Sequence, residues 1–234
     1  MSLSFIASST AYSGSTPGTT LDGGTALSIQ SGDLIVFGYR CNYGDISDLV
    51  LDENDGTDTL TLLGTQYDYG TFFSFRAGYL VTNFTDASWT PRATHTASLA
   101  YRMIVALQFR PDAGETVTLD NALSNNQGSD ANPLTNLINT TGSDEVVINF
   151  LAFPNATYTP SAWTINSSAV DGNISQNQRF RGAYEFITTP TNNVQGDATI
   201  GGTLEWISSI VSFKSESSGS IIPILTANRR RIIS

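Results

Sequence analysis

Charge is what this chain has least of: 14% of its 234 residues are Asp, Glu, Lys or Arg, against about a quarter in an ordinary soluble domain. Cysteine occurs once, at Cys41, histidine once, at His95, and lysine once, at Lys214. A lone cysteine excludes an intrachain disulfide and a cysteine-based metal cluster. Cys41, flanked by Tyr39 and Tyr43, reads as a small hydrophobe at the end of a strand. A lone histidine without a Gly-x-Ser-x-Gly turn argues against a Ser-His-Asp triad. His95, in Pro91-Arg92-Ala93-Thr94-His95-Thr96, reads as a surface loop residue. One histidine and one cysteine also argue against a zinc or transition-metal site, so no cofactor is expected. Positive charge is short as well: 11 basic residues face 21 acidic ones, a net charge of −10, which disfavours direct contact with a nucleic-acid backbone. The opening Met-Ser-Leu-Ser-Phe-Ile-Ala has neither the basic region nor the apolar stretch of a signal peptide. No apolar run reaches the length of a membrane span. The expectation is a protein made in a cytoplasm, with no membrane partner.

What the chain does have is Ser, Thr, Asn and Gly between short apolar runs, the pattern of strands joined by turns. Leu34-Ile35-Val36-Phe37 reads as a buried strand behind the turn Ser31-Gly32-Asp33. Asp58 to Gln66 begins in strict alternation, with Leu60 and Leu62 on one side and Thr59 and Thr61 on the other. Phe72 to Val81, Arg102 to Phe109, Thr116 to Leu119, Val146 to Phe153, Arg179 to Ile187 and Glu205 to Phe213 extend the series. These segments predict about a dozen strands in an all-β, jelly-roll-like antiparallel β-sandwich with an extended C-terminal tail. The sandwich is read as residues 1–214, and residues 215–234 as a linker and C-terminal segment. Residues 8–24 read as loop with at most one short strand, Asn132 to Asn139 as the best helical candidate, and no repeat of fixed period is evident.

Candidate sites are few. Asp52-Glu53-Asn54-Asp55-Gly56-Thr57-Asp58 fits either a hairpin turn on Asp55-Gly56 or a turn that also holds calcium. It misses the EF-hand spacing by one residue, and Leu63 stands where the bidentate Glu belongs. Glu185 and Glu205 lie in strand-like segments and are the only pair considered for glycoside hydrolysis. Trp206 reads as core, whereas Trp89 and Trp163, beside Pro91 and Pro160, read as either packed residues or exposed sugar-stacking platforms. The last segment, Ile221-Ile222-Pro223-Ile224-Leu225 through Arg229-Arg230-Arg231-Ile232, is apolar and basic where the rest of the chain is polar and acidic. Left uncovered, such a tail is a liability. It either tucks onto its own sandwich or docks on a neighbouring subunit, with Ile221, Ile222, Ile224, Leu225 and Ile232 filling a groove and Arg229, Arg230 and Arg231 meeting acidic groups.

The order of segments resembles a β-sandwich found in tailed-bacteriophage virion proteins and some secreted bacterial proteins. The matching pieces are Gly32 to Val36, Thr59 to Gly64, Tyr79 to Val81, Met103 to Phe109, Gly142 to Ile148 and Trp206 to Lys214. The resemblance covers most of residues 25–214, carries no catalytic motif, and extends to the isoleucine-rich basic tail. It implies a non-enzymatic protein located in the virion, a capsid decoration or cement protein or part of a head or tail appendage. Its implied partners are the major capsid protein or other virion proteins, and further copies of itself in a homo-oligomer. The alternative is a carbohydrate- or receptor-binding module of a phage tail or fibre.

Overall fold

The computed structural model describes residues 3–53, 58–154, 160, 162–176 and 179–217. In chain order the first strands are β1 (Leu3–Tyr12), β2 (Gly18–Asp22), β3 (Leu27–Ile29), β4 (Leu34–Asn42) and β5 (Val50–Glu53). Next come β6 (Thr61–Tyr69), β7 (Phe73–Val81), β8 (Asp86–Trp89), β9 (Pro91–Leu99) and β10 (Met103–Pro111). The second half holds β11 (Glu115–Asp130), β12 (Glu145–Ala152), β13 (Ala162–Ile165) and β14 (Ser168–Ala169). It ends with β15 (Gly172–Gln176), β16 (Phe180–Ile187), β17 (Gly196–Thr199) and β18 (Leu204–Ser217). No helix occurs among the described residues, and the protein is all-β as the strand pattern requires.

Two five-stranded antiparallel sheets, ordered β1-β10-β4-β7-β6 and β11-β18-β12-β16-β15, form the centre. Their facing sides share one core, with Leu34, Val36, Phe75, Val105, Leu107 and Phe109 from the first sheet and Val146, Ile148, Phe150, Phe180, Val211 and Phe213 from the second. The outer side of each sheet is covered too. Ile35, Phe37, Tyr39, Cys41 and Ile104 pack beneath Leu27, Leu51, Trp89 and Ala93 of β3, β5, β8 and β9. Leu151, Ala183 and Trp206 pack beneath Trp163 and Ala198 of β13 and β17. The architecture is therefore four layers thick. This explains why the central strands are unbroken apolar runs: β4, β10 and β12 are buried on both faces, so period-two alternation has no polar side to show. Each such side chain contributes about 1.5–3 kcal/mol on burial.

Three expectations fail locally. Asn132 to Asn139 is extended: the N–H groups of Thr135, Ile138 and Thr140 bond to the carbonyls of Gly196, Val194 and Thr191. The neighbouring segment 191–196 thus satisfies the backbone that a helix would have satisfied internally. Residues 8–24 carry the second half of β1 and all of β2. Ser8, Ser9 and Thr10 hid β1 because an edge strand, paired on one side only, keeps hydroxyls where a central strand needs apolar groups. The strand β18 runs on to Ser217 opposite Glu115, three residues past the expected boundary at Lys214.

The largest departure is an internal duplication. The first central sheet, read in chain order, uses β1, β4, β6, β7 and β10; the second uses β11, β12, β15, β16 and β18. Both arrange these five as first, fifth, second, fourth, third. The registers agree: Phe109 faces Leu34 and Leu34 faces Val81, while Phe213 faces Val146 and Val146 faces Phe186. Both first strands bulge at the same place, after Phe5 and after Leu119. Phe75-Arg76-Ala77-Gly78-Tyr79 and Phe180-Arg181-Gly182-Ala183-Tyr184 are equivalent, 105 residues apart. The halves pack about a pseudo-two-fold axis, the internal version of an isologous dimer. Tyr79 of the first half packs on Phe213 of the second at 5.1 Å, and its equivalent Tyr184 packs on Phe109 at 5.2 Å. Phe75 and Phe180, equivalents of one another, meet on the axis at 5.8 Å.

The axis leaves no spare room. A Cβ at Gly38 would lie 2.6 Å from Phe180 Cζ and 2.8 Å from Phe150 Cδ1. Gly38→Ala is expected to destabilise the protein by about 1–3 kcal/mol through overpacking, read as a lowered urea midpoint; an unchanged midpoint would contradict the packing described.

Candidate functional site: the two ends of the sandwich

The tail residues Ile221, Ile222, Ile224, Leu225, Arg229, Arg230, Arg231 and Ile232 lie outside the described residues. The structure does place the point where the chain leaves the body. The strand β18 is paired on both sides, with β11 and β12, and ends at the same end of the sandwich as Asp33 and Glu145, which precede or begin β4 and β12. That end is polar. Asp33 is fully buried and accepts bonds from Arg110 Nε (2.7 Å) and Nη2 (2.8 Å), Gln108 Nε2 (2.7 Å) and the Gln30 N–H (2.8 Å). Glu145 occupies the equivalent position in the second half. Its Oε1 accepts the N–H groups of Thr141 (2.7 Å) and Gly142. Burial, opposed by those two donors and reinforced by nearby Asp120, pushes its carboxyl above the usual range. Lys214 stands where the first half has Arg110, but its Nζ turns to Glu216 at 2.7 Å, with Asp120 at 4.0 Å.

The opposite end is aromatic. Tyr43 and Phe72 are 48% and 53% exposed and are tied by the Tyr43 N–H to the Phe72 carbonyl at 3.2 Å. Tyr69 lies 6.1 Å from Phe72 and stacks on Phe73 at 5.9 Å. Beside them the Arg179 guanidinium sits over the Tyr101 ring at 4.6 Å. Arg40, fully buried, lies 4.9 Å over Phe73 and donates to the carbonyls of Tyr101 (3.2 Å) and Phe153 (3.0 Å). Burial pulls its pKa down to about 10. Exposed Tyr and Phe beside Arg is the composition of protein-binding hot spots. Sequence reading overlooked this end because Tyr43 and Phe72 belong to turns whose position only the paired strands define.

A third feature is a polar hollow of about 130 Å³ on the outer layer of the second half, lined by Thr164, Asn166, Ser167, Asn193, Gln195 and Asp197. Asn166, Ser167 and Asn193 adopt positive φ there. Its hydroxyl, amide and carboxylate groups can hydrogen-bond a hydroxyl-rich ligand.

Several sequence-derived candidates are relocated. Trp89 is fully buried and Trp163 nearly so, its indole N–H donating to Asn149 Oδ1 at 2.7 Å; neither is a stacking platform. Trp206 is core, as expected. Cys41 is a buried hydrophobe near the end of β4, as expected, and burial raises its thiol to about 12. Glu185 lies opposite Val147, which is opposite Ser212 of β18, seven residues from Glu205. At about 3.3 Å per residue that is about 23 Å along the strands, far beyond the separation a glycosidase pair requires. Asp52 and Glu53 are buried in β5, and residues 54–57 lie outside the described residues. Among the described residues no group of three or more His, Cys, Asp or Glu gathers to hold a metal ion.

His95 is not a surface residue. It lies in β9, 3% exposed, with its Nε2 2.7 Å from the Tyr39 hydroxyl. It is buried because β9 covers the outer face of the first central sheet, which sequence alone does not reveal.

Comparison of the chain with protein-family models and with curated protein sequences finds no match.

Burial, assisted by Arg102 and opposed by a hydrogen bond with the Ala97 backbone and by Asp48, lowers the His95 pKa and so favours its neutral form in the folded state. A depressed pKa contributes stability that is present above the unfolded value of about 6.5 and lost as pH falls below it. The difference in Tm between wild type and His95→Gln is therefore expected to narrow on acidification through that range. A gap that stays constant would show that His95 does not titrate with unfolding.

Proposed function

We propose that the chain is a non-enzymatic structural protein of a tailed-bacteriophage virion, a capsid decoration or cement protein. It binds the shell through its sandwich surface and its C-terminal segment. Its partners are the major capsid protein or other virion proteins, together with further copies of itself. The observation that carries this reading is the attachment of that segment to β18, fourteen residues long and hydrogen-bonded on both sides inside a central sheet. Bonds between antiparallel strands run perpendicular to the strand axis, so tension on the tail loads many of them at once in shear. A segment hung on such a strand suits a tether. The aromatic end offers a second contact surface of the kind that proteins bind.

A second reading, a carbohydrate- or receptor-binding module, is favoured by the polar hollow at Asn193 and Asp197. It predicts glycan-array binding that is lost in Asn193→Ala and unaffected by deletion of the tail.

Deleting residues 219–234 is expected to abolish incorporation into particles while the far-ultraviolet β signature persists. Incorporation that survives the deletion would refute the tether.

A further inference from the structure

Pseudo-symmetry makes the corner at the end of β18 comparable, residue for residue, with the corner at the end of β10. In the first half the chain leaves β10 past a cleft of about 320 Å³ lined by Ser31, Gly32, Arg110, Pro111 and Asp112, then turns into β11. In the second half the equivalent cleft, about 540 Å³, is lined by Ser143, Asp144, Pro190, Ser215 and Glu216, and the tail begins there. A small apolar notch shares its Asp144 wall and adds Leu3, Glu145, Phe186 and Ile187.

The two corners differ in one respect that points to a ligand. Asp33 is satisfied by an arginine, a glutamine and a backbone N–H. Its equivalent Glu145, 1% exposed, has N–H donors only on Oε1; its Oε2 has none among the described residues, and the carboxyl stands against that of Asp120. A buried carboxyl oxygen without a donor is a cost that a bound cation would relieve. No guanidinium serves Glu145 as Arg110 serves Asp33: Asp120, Asp144 and Glu216 are close by, and the neighbouring Lys214 is paired to Glu216. The missing chemistry, aliphatic side chains and guanidinium groups, is found in the chain just beyond Ser217. All 21 acidic residues precede position 217 and three of the 11 basic ones follow 228. The body therefore carries −13 and the tail +3. Four residues from Ser217 to Ile221 reach about 13 Å, and a tether that short gives an effective concentration of order mM, which favours the chain's own tail over one from another copy.

We propose that the cleft and notch at the end of β18 form a receptor for an isoleucine- and arginine-bearing extended segment. In the free protein its occupant is this chain's own C-terminal segment, Ile221 to Arg231. The receptor presents Leu3, Phe186 and Ile187 to the isoleucines, and Glu145 to an arginine as Asp33 is presented to Arg110. This inference concerns the free chain and does not depend on the particle assignment.

The test uses the full chain with a nitroxide on Ala227→Cys, Cys41 being buried and unreactive. The methyl resonances of Leu3 and Ile187 are expected to lose intensity, unchanged on dilution with unlabelled protein. The loss is expected to be reversed when Arg229, Arg230 and Arg231 are replaced by Gln. Unbroadened Leu3 and Ile187 methyls would overturn the proposal. So would broadening seen only when nitroxide-bearing chains are mixed with separate isotope-labelled chains, because the occupant would then be another copy's tail. Unbroadened methyls together with lost particle incorporation on deleting 219–234 would remove this inference and leave the shell-docking reading standing.

Discussion

The fold depends on the aromatic contact at the pseudo-two-fold axis. Phe75 and Phe180 meet there, and Tyr79 and Tyr184 each reach across to a phenylalanine of the opposite half. Neither half has a closed core without the other: the inner faces of both central sheets are apolar and cover one another. Each outer face is sealed by strands of its own half. The chain thus behaves as an internal dimer in which a single covalent crossing, residues 112–114 between β10 and β11, replaces association of separate subunits.

Duplication frees one copy to diverge. The Asp33 clamp with Arg110 and Gln108 satisfies the buried carboxylate at the first half's corner. The corresponding corner in the second half keeps the carboxylate as Glu145, exchanges the arginine for Lys214 and the glutamine for Ser212, and opens a larger cleft. The same asymmetry appears at the opposite end, where the equivalent of buried Arg40 is Ala152. At the axis the aromatic pairs Phe75 and Phe180, and Tyr79 and Tyr184, kept the symmetry.

Most strands were legible because the central ones are long apolar runs. Leu34 to Phe37, Val146 to Phe153 and Glu205 to Phe213 all fall in or overlap strands. Even the alternation at Leu60 and Leu62 agrees with their packing beneath the same outer layer. The polar edge strand β1, the extended segment at Ile138 and the buried His95 were not legible. Each owes its conformation or burial to a partner far away in sequence. The repeat was present as Phe-Arg-Ala-Gly-Tyr against Phe-Arg-Gly-Ala-Tyr but escaped notice because most other equivalent positions conserve only apolar character.

Local chemistry along the chain was sufficient to determine that the protein is all-β, that Cys41 and Trp206 are packed inside, and that positive charge is concentrated beyond residue 228. These follow from which side chains water rejects and from where charge sits, and both are properties of single residues. Tertiary structure alone decided that Trp89, Trp163 and His95 are covered, that Glu185 and Glu205 stand far apart, that Tyr43 and Phe72 share an exposed end, and that Asp33 and Glu145 are counterparts. Those are relations between residues, fixed by strand order and register, and hydrogen bonds between strands carry that information across more than a hundred residues of chain.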